Sequence, residues 1–330
     1  LKVNTDQTKT INQRGKVLWE EANRRGIPMH NFLMFGKPVD LYGATVKGKK
    51  IYFNGLPRPK RTPKHSEWWA DDKYLLKLTL QEAGIPVAQG GSFSEFAPLL
   101  KKFQELEKPV IIKPRLGSRG RHTTTHIHNE EELQRAFERA KQLCHWVVME
   151  EHLIGSVYRG TIINGKLAGV LRGDPPRITG DGVHIIAELV DIKNQHKHTE
   201  VKGVVISQEH INFLSRLGLA VGDTLSAGKT IDLTEKIGVN YGGCAAEVTS
   251  ATHPDIKKIL EQAAAAVGDP VIGFDFIIKH ISEDPSKQRW GFIESNGLPF
   301  INLHYDPIEG ETNNVAKPLC DYVEENTEQF

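Results

Sequence analysis

The chain has 330 residues, with 42 Lys and Arg against 41 Asp and Glu, so its formal net charge is +1. This balance argues against a dedicated nucleic-acid or membrane-surface binder, which needs an excess of positive charge. The length suffices for a sizeable core in two or three lobes. The three cysteines lack metal-ligand spacing, and the sequence has no signal peptide or membrane-length apolar run, so we expect a cytoplasmic protein.

The first 66 residues predict a small α/β lobe. A helical pattern containing Val17, Leu18 and Ala22 stops at the segment RGIP, and the short strand candidates FLMFG and KKIYFNG follow it. The closing segment PRPKRTPK alternates basic residues with prolines. An anion patch is one interpretation, but this pattern is more typical of a solvated linker, and we assign it no site.

From Glu67 onward the pattern indicates alternating helices and strands. The segment DDKYLLKLTLQEA predicts a helix with Lys73 in its first turn. Ser92 and the Glu three residues later predict a capping box for a second helix. The strand PVIIKP ends near Lys113, Asn129 is predicted to cap a third helix, and WVVMEEHL predicts another strand.

A glycine-containing loop, LGSRGRHTTTHIH, follows Lys113 directly. A lysine between an apolar strand and such a loop suits a phosphate site, since small residues let backbone N–H groups approach phosphate oxygens. The P-loop and Rossmann patterns are both absent, and a plain tight turn explains the loop equally well. His126 and His128 share a strand face without an evident third ligand, which favours an exposed strand over a metal site.

The second half of the chain begins with a hairpin predicted to turn at Asn164-Gly165. Arg172 then lies between a strand and a Gly-rich loop. Helices are predicted at residues 207–217, 255–267 and about 313–324 from their apolar stripes.

The most unusual stretch is a hairpin predicted from VIGFDFII and RWGFIESN, which flank the polar segment HISEDPSKQ. Alternation puts Phe292, Glu294 and Asn296 on one face, and symmetric pairing puts Asp275 opposite Glu294. Two facing carboxylates among apolar neighbours repel each other and lose hydration unless a cation lies between them. Magnesium suits such oxygen ligands; the alternative is a pair of edge strands whose acids face water.

Several segments in order resemble those of an ATP-grasp ligase: DDK, EAGIPV, VIIKP with its glycine loop, VMEEHL, LRGDPPRITGDG, NYGGCAAEVT, GFDFII and FIESNGLPFINLHYDP. The resemblance covers roughly residues 67–325 and is strongest to the ATP-grasp domain of cyanophycin synthetase and the related glutathione synthetase module. It implies an α/β (α+β) protein whose two α/β lobes grip a nucleotide. The implied domains are a small N-terminal lobe with a basic linker at 1–66 and an ATP-grasp domain at 67–330, with a lid at about 108–150 and a metal-binding lobe at about 151–330.

The same resemblance implies residue roles and the cofactors ATP and Mg²⁺, with Mn²⁺ as an alternative metal. The implied nucleotide-binding positions are Lys73, Lys113, Gly117, Ser118, Gly120, Glu150, Glu151 and Leu153. The implied catalytic positions are Arg172 and Lys113, and the implied metal ligands are Asp275, Glu294 and Asn296. In this assignment the charge of Lys113 meets phosphate rather than a protein carboxylate, and the segment from Glu150 to Leu153 reads adenine.

Two departures from the family pattern stand out. The loop from Gly117 to Arg121 matches the family's flexible flap over the ATP phosphates, and Ser118 and His122 stand where that pattern has Asn and Gly. Val157 stands where the family often has an acid that holds the ribose hydroxyls. No second, Mur-ligase-like module with its own P-loop is present, so one ligation step is expected.

The resemblance implies an ATP-dependent carboxylate–amine ligase that forms an amide through an acyl phosphate, with amino acids or short peptides as substrates. A nucleotide-binding module with impaired turnover and a regulatory role is the alternative. No nucleic-acid or membrane partner is expected, and the substrates' identities and any homo-oligomeric state stay open.

Overall fold

The computed structural model describes residues 1–59, 72–117 and 122–330. Two units can be distinguished in it. The first contains residues 1–170, 249–306 and 312–330, and the second contains residues 171–248 and 307–311. Lys60, Arg61 and Lys64 of the basic segment lie outside the described residues. None of the helices in the described ranges has the length and apolarity that a membrane span requires.

The N-terminal part of the first unit combines one sheet with one helix. Its strands, antiparallel in sequential order, are β1 (Lys2–Asn4), β2 (Met29–Met34), β3 (Lys37–Val46) and β4 (Lys49–Asn54). The predicted helix is confirmed as α1 (Gln13–Arg24), which buries Leu18 and Trp19. Gly26 follows it with a φ of 66°, a conformation that costs glycine little and ends the helix. These side chains share a core with Tyr42 and with the last helix of the chain.

Glu21 of α1 is the acidic centre of a polar cluster beside this core. Its side chain is 7% exposed and accepts hydrogen bonds from Arg24 Nη1 at 2.7 Å, Arg25 Nε at 2.8 Å and Asn314 Nδ2 at 2.9 Å. Burial acts to raise the pKa of Glu21, but these donors outweigh burial and lower it.

We expect Glu21→Ala to lower the free energy of unfolding by about 2 kcal/mol, because it removes a buried carboxylate that accepts hydrogen bonds from three partners. Urea unfolding at neutral pH measures this loss. The lowered folded-state pKa makes the contribution present above the unfolded pKa and lost as the pH falls through the folded value. Glu105→Ala, which removes a surface pair with Lys102, is the control, and equal losses in both variants would contradict the prediction.

A second sheet of the first unit contains the residues assigned to the lid, about 108–150, together with elements that precede them in the chain. The elements here are α2 (Lys73–Glu82), β5 (Gly90–Phe93), α3 (Phe96–Glu105), β6 (Val110–Pro114), β7 (Thr124–Ile127), α4 (Glu130–Lys141) and β8 (Val147–Glu151). The strand order is β5-β8-β6-β7, and α3 and α4 bury a common core against it that includes Leu99, Ile112 and Leu133.

One of the two predicted caps in this region is wrong. Ser92 lies inside β5, where it pairs with Val148, so α3 begins only after Glu95, which makes no side-chain cap. The strand extends because its backbone completes the sheet edge beside β8. The cap of α4 is confirmed, since the side chain of Asn129 accepts a hydrogen bond from the backbone N–H of Glu132 at 3.0 Å.

The hairpin predicted at Asn164-Gly165 is confirmed, and both turn residues have positive φ, 52° and 70°. It joins β9 (Ser156–Ile163) to β10 (Lys166–Asp174), whose last residues belong to the second unit. The remaining elements of the second unit are β11 (Arg177–Thr179), α5 (Ile186–Gln195), α6 (Gln208–Arg216), β12 (Thr230–Asp232) and β13 (Cys244–Glu247). In that unit, the end of β10 pairs with β13, and β11 pairs with β12.

β9 and β10 belong to a further sheet of the first unit. The hairpin predicted from VIGFDFII and RWGFIESN completes this sheet. The last elements of the chain are α7 (Pro254–Val267), β14 (Val271–Ile278), β15 (Gly291–Asn296), α8 (Asn302–Tyr305) and α9 (Ala316–Glu325). In this sheet the order is β10-β9-β14-β15, and α2 packs against β15 and α7. The observed α6, α7 and α9 confirm the three helices predicted in the second half of the chain.

The β14–β15 hairpin confirms one pairing prediction and corrects another. Asp275 lies opposite Glu294, as predicted, but Phe276 pairs with Phe292, so Ile293 is an extra residue in a β-bulge. The bulge shifts the alternation by one residue. Phe292 therefore packs with Phe276, on the opposite face from Glu294, and the prediction that Phe292 and Glu294 share a face is wrong.

Candidate functional site

A cavity of about 180 Å³ lies in the first unit. Its lining consists of Lys73, Ile111, Lys113, Pro114, Gly117, Thr123, Glu150, Glu151, Leu153, Ile277, Ile293 and Glu294. Seven of the predicted site residues are in this lining: Lys73, Lys113, Gly117, Glu150, Glu151, Leu153 and Glu294. Strands β6 and β8 and the β14–β15 hairpin thus contribute residues to one cavity.

Lys113, at the end of β6, does not lie free in this cavity. Its Nζ is 2.6 Å from Glu150 Oε2 and donates a longer hydrogen bond, 3.3 Å, to the carbonyl of Ile293. The expectation that Lys113 would meet no protein carboxylate is therefore wrong. Lys113 and Glu150 occupy neighbouring strands, where Lys113 pairs with Val148, and both side chains reach the cavity.

Glu150 contacts a second lysine that the sequence analysis did not assign. Lys77 Nζ lies 2.7 Å from Glu150 Oε1, an ionic contact whose angles fall outside hydrogen-bond geometry. Burial acts to raise the pKa of Glu150, but the charges of Lys113 and Lys77 outweigh burial and lower it. Glu150 is therefore an ionised carboxylate between two cations.

The side chain of Glu151 makes different contacts from that of Glu150, although the resemblance assigns both residues to the segment that reads adenine. Its Oε1 accepts the backbone N–H of Gln89 at 2.7 Å, and its Oε2 accepts Arg289 Nε at 2.6 Å. These bonds fix the end of β8, and the backbone N–H of Glu151 also donates to the carbonyl of Gln89, at 2.8 Å. Leu153, two residues on, lines the cavity with an apolar side chain.

Lys73 lies at the first position of α2 and joins three parts of the site. Asp72 caps the helix, accepting the N–H groups of Tyr74 and Leu75, and also accepts Arg115 Nε at 2.8 Å. The Nζ of Lys73 donates to the carbonyl of Gly117 at 2.5 Å and lies 3.7 Å from Glu294 Oε2. The ammonium group therefore reaches both the loop after β6 and the acidic hairpin.

The flap is described only at its edges. Gly117 has a φ of 119°, which favours glycine, whereas Ser118 and Gly120 lie outside the described residues. His122 follows with Nδ1 2.7 Å from the carbonyl of Arg139. The rings of His126 and His152 lie 4.4 Å apart between centroids and are tilted by 59° to each other, and His128 lies beyond the end of β7.

Asp275 has a basic partner on the adjacent strand β9. Arg159 donates to both carboxylate oxygens, Nε to Oδ1 and Nη2 to Oδ2, each at 2.6 Å. The side chains of Arg159 and Asp275 are 21% and 13% exposed. Arg159 therefore neutralises the charge of Asp275, for which the sequence predicted a metal ion. The guanidinium also lies over the ring of Phe300, 5.3 Å from its centroid.

Glu294 and Asn296 are less completely paired. Burial raises the pKa of Glu294 above its usual range, partly opposed by Lys73, while the nearby charge of Asp275 raises it further. Asn296 Nδ2 is buried and has no hydrogen-bond partner among the described residues. Asp275, Glu294 and Asn296 together provide carboxylate and amide oxygens on one face of the hairpin.

Arg172 lies in the second unit, near the end of β10. Its guanidinium contacts Asp174 Oδ2 at 2.8 Å and Glu309 Oε2 at 3.3 Å, both in the same unit. These two acids orient the side chain across the strand end. Val157, which replaces the expected ribose-binding acid, lies on β9 opposite Ile277.

Three basic residues around the site escaped the sequence analysis: Arg159, Lys77 and Arg289. A signal existed for two of them. Arg159 interrupts the apolar strand SVYRGTII, and Lys77 follows Lys73 by four residues, one helical turn.

Comparisons with known proteins show which proteins the chain is similar to. No protein-family model matches the chain. It is 30% identical over 262 residues to a cyanophycin synthetase from Synechocystis sp., a match that covers 76% of this chain and 30% of that protein. It is 28% identical over 265 residues to the bifunctional glutathione biosynthesis protein GshAB of Pasteurella multocida, covering 76% of this chain and 35% of that one. The chain thus spans about a third of the length of these relatives.

A solved structure shows the same fold. The crystal structure of a bifunctional glutathione synthetase from Pasteurella multocida matches with a TM-score of 0.66 at 23% identity, covering 95% of this chain and 43% of that one. The mixed α/β architecture with antiparallel sheets matches the fold of that structure, so the predicted fold class is confirmed. In sequence, the chain is a homologue of cyanophycin synthetase and of GshAB, and it corresponds to part of each.

Proposed function

We propose that the chain is an ADP-forming ligase that joins a carboxylate to an amine. A substrate carboxylate oxygen attacks the γ-phosphorus of ATP, the bond from that phosphorus to the ADP oxygen breaks, and an acyl phosphate forms. The amine nitrogen then attacks the acyl carbon, phosphate leaves with the former carboxylate oxygen, and the amine loses a proton as the amide forms. The likeness to cyanophycin synthetase and GshAB supports this chemistry.

The observation that carries the proposal is the charge arrangement of the cavity. Lys73 and Lys113 line it together with Glu294, whose strand partner is Asp275. Phosphoryl transfer depends on positioning and on neutralising phosphate charge, so it needs lysines and a divalent cation close together.

The hairpin suits a hard divalent cation. Asp275, Glu294 and Asn296 offer only oxygen as ligand atoms, which is the donor set of Mg²⁺ and, as an alternative, Mn²⁺. The fit rests on these oxygens, since the unpartnered amide atom of Asn296 is Nδ2, a donor that does not bind a cation. A bound ion would supply positive charge to the phosphate oxygens of ATP.

The chain's own residues would do the rest of the work. Lys73 and Lys113 would bind phosphate oxygens, and the segment from Glu150 to Leu153 would bind adenine. Glu150 contributes a carboxylate to that segment, and Leu153 contributes an apolar side chain. Arg172 would stabilise the charge of the transferring phosphoryl group with its planar guanidinium.

We infer amino acids or short peptides as substrates, in a cytoplasmic protein. Selectivity would come from the loops at residues 240–243 and 297–305, because loops carry the side chains that distinguish related substrates. A screen of phosphate release from Mg-ATP, with amino acids and dipeptides supplied in pairs, tests the proposal. Release with one pair, absent in Glu294→Gln, is expected. Nucleotide binding without release from any pair would favour the regulatory module instead.

We expect Lys113→Met to weaken Mg-ATP binding roughly 10- to 100-fold, since it removes one charged hydrogen bond to phosphate. Its free energy of unfolding should fall by only about 1 kcal/mol, because Glu150 keeps Lys77 as a counter-ion. Titration calorimetry and urea unfolding measure the two effects. Lys102→Met, at an exposed lysine of α3, is the control, and wild-type affinity in Lys113→Met would remove Lys113 from the site.

A further inference from the structure

Glu150 lies between two lysines that differ in their access to the cavity. Its side chain is 2% exposed, with Lys113 2.6 Å from Oε2 and Lys77 2.7 Å from Oε1. Lys113 lines the cavity, but Lys77 is not among its described lining residues. The three groups together carry one net positive charge.

Lys77 is fixed in place by its other contacts. Its side chain is 3% exposed, and its Nζ donates to the carbonyl of Ala88 at 2.5 Å. It lies on α2, which packs against β15 and α7. Movement of this ammonium away from Glu150 would break a buried hydrogen bond and strand a buried charge.

Lys113 can bind a phosphate only if the buried carboxylate of Glu150 keeps a counter-ion. A fully buried carboxylate that loses its only cation carries a large desolvation penalty. If Lys113 were the sole partner of Glu150, binding a phosphate would require Lys113 to leave that carboxylate uncompensated. A second cation that stays on Glu150 removes this penalty.

We propose that Lys77 is a positioning residue, the permanent counter-ion of Glu150, which frees the charge of Lys113 for the phosphates of a nucleotide. The inference rests on the proposed function, because it assumes that the cavity binds a nucleotide. Lys77 itself makes no contact with the ligand in this scheme. Burial lowers the pKa of Lys77, opposed by Glu150, so this ammonium depends on the carboxylate as much as the carboxylate depends on it.

The test is titration calorimetry of Mg-ATP with the full chain and three variants. Lys77→Met should bind Mg-ATP about tenfold more weakly than wild type, since Lys113 then stays on Glu150. The double variant Lys77→Met/Glu150→Gln should bind as Glu150→Gln does, because Lys77 acts only through the charge of Glu150. A purely structural role for Lys77 predicts instead that its loss weakens binding equally whether residue 150 is charged or not.

Wild-type affinity in Lys77→Met would overturn the inference alone, whereas a wild-type protein that binds no nucleotide would overturn the proposed function and the inference with it. If Lys77→Met fails to fold, the double variant and Glu150→Gln still form a pair. Equal affinities in that pair support the inference, and a tenfold weaker double variant overturns it.

Discussion

Asp275→Asn is expected to lower the free energy of unfolding by about 2 to 3 kcal/mol without any metal, because it removes the carboxylate charge that accepts two hydrogen bonds from the largely buried guanidinium of Arg159. Glu294→Gln should instead change stability by less than about 1 kcal/mol. Burial and the charge of Asp275 raise the pKa of Glu294 in the folded chain, so its ionisation lowers the stability of the folded state as the pH rises. Replacing Glu294 by a neutral glutamine therefore loses little stability.

Mg-ATP distinguishes a ligand role from a structural one in the same two variants. Wild type should gain about 2.7 kcal/mol of stability at a ligand concentration 100 times the Kd, and both variants should lose most of that gain. Melting curves with and without Mg-ATP measure all of these quantities. An Asp275→Asn protein that Mg-ATP restores to the wild-type gain would exclude Asp275 as a metal ligand and leave it only as the partner of Arg159.

Arg172→Lys is expected to reduce turnover about 100-fold while changing Mg-ATP affinity only a few-fold. A lysine ammonium cannot reproduce the planar fork that Asp174 and Glu309 now orient, and the loss should appear where charge develops on the transferring phosphoryl group. Steady-state phosphate release and nucleotide titration separate the two quantities.

Arg177→Lys is the matched control for Arg172. It lies on β11 of the same unit and pairs with Asp232 at the surface, so turnover should stay at the wild-type level. Lost nucleotide affinity with retained turnover in Arg172→Lys would make Arg172 a ground-state anchor instead.

Local patterns account for what the sequence predicted correctly. Alternation and a polar turn, both set within about 30 residues, place Asp275 opposite Glu294. The turn at Asn164-Gly165 needs two residues with positive φ, which its composition indicates.

The errors concern partners from distant parts of the chain. Arg159 reaches Asp275 across 116 positions, and no pattern within the hairpin indicates which cation its acid will meet. Ser92 matched a helix-capping pattern, but pairing with β8 kept it in a strand, because tertiary contacts override local propensity. Whether a lysine such as Lys113 meets a protein carboxylate or a ligand depends equally on such contacts.

The extra residue in β15 determines whether the cavity has room for a ligand. With regular pairing outward from Asp275 and Glu294, Phe292 would stand opposite Ile277, a residue of the cavity wall, and its ring would project into the space. Because of the bulge, Gly291 stands opposite Ile277 instead, Ile293 lines the cavity, and the ring of Phe292 lies on the other side of the sheet. Deletion of Ile293 would remove the bulge but keep Phe292 opposite Phe276, so it would widen the cavity, because the wall loses an apolar side chain while every polar residue of the hairpin stays in the sequence.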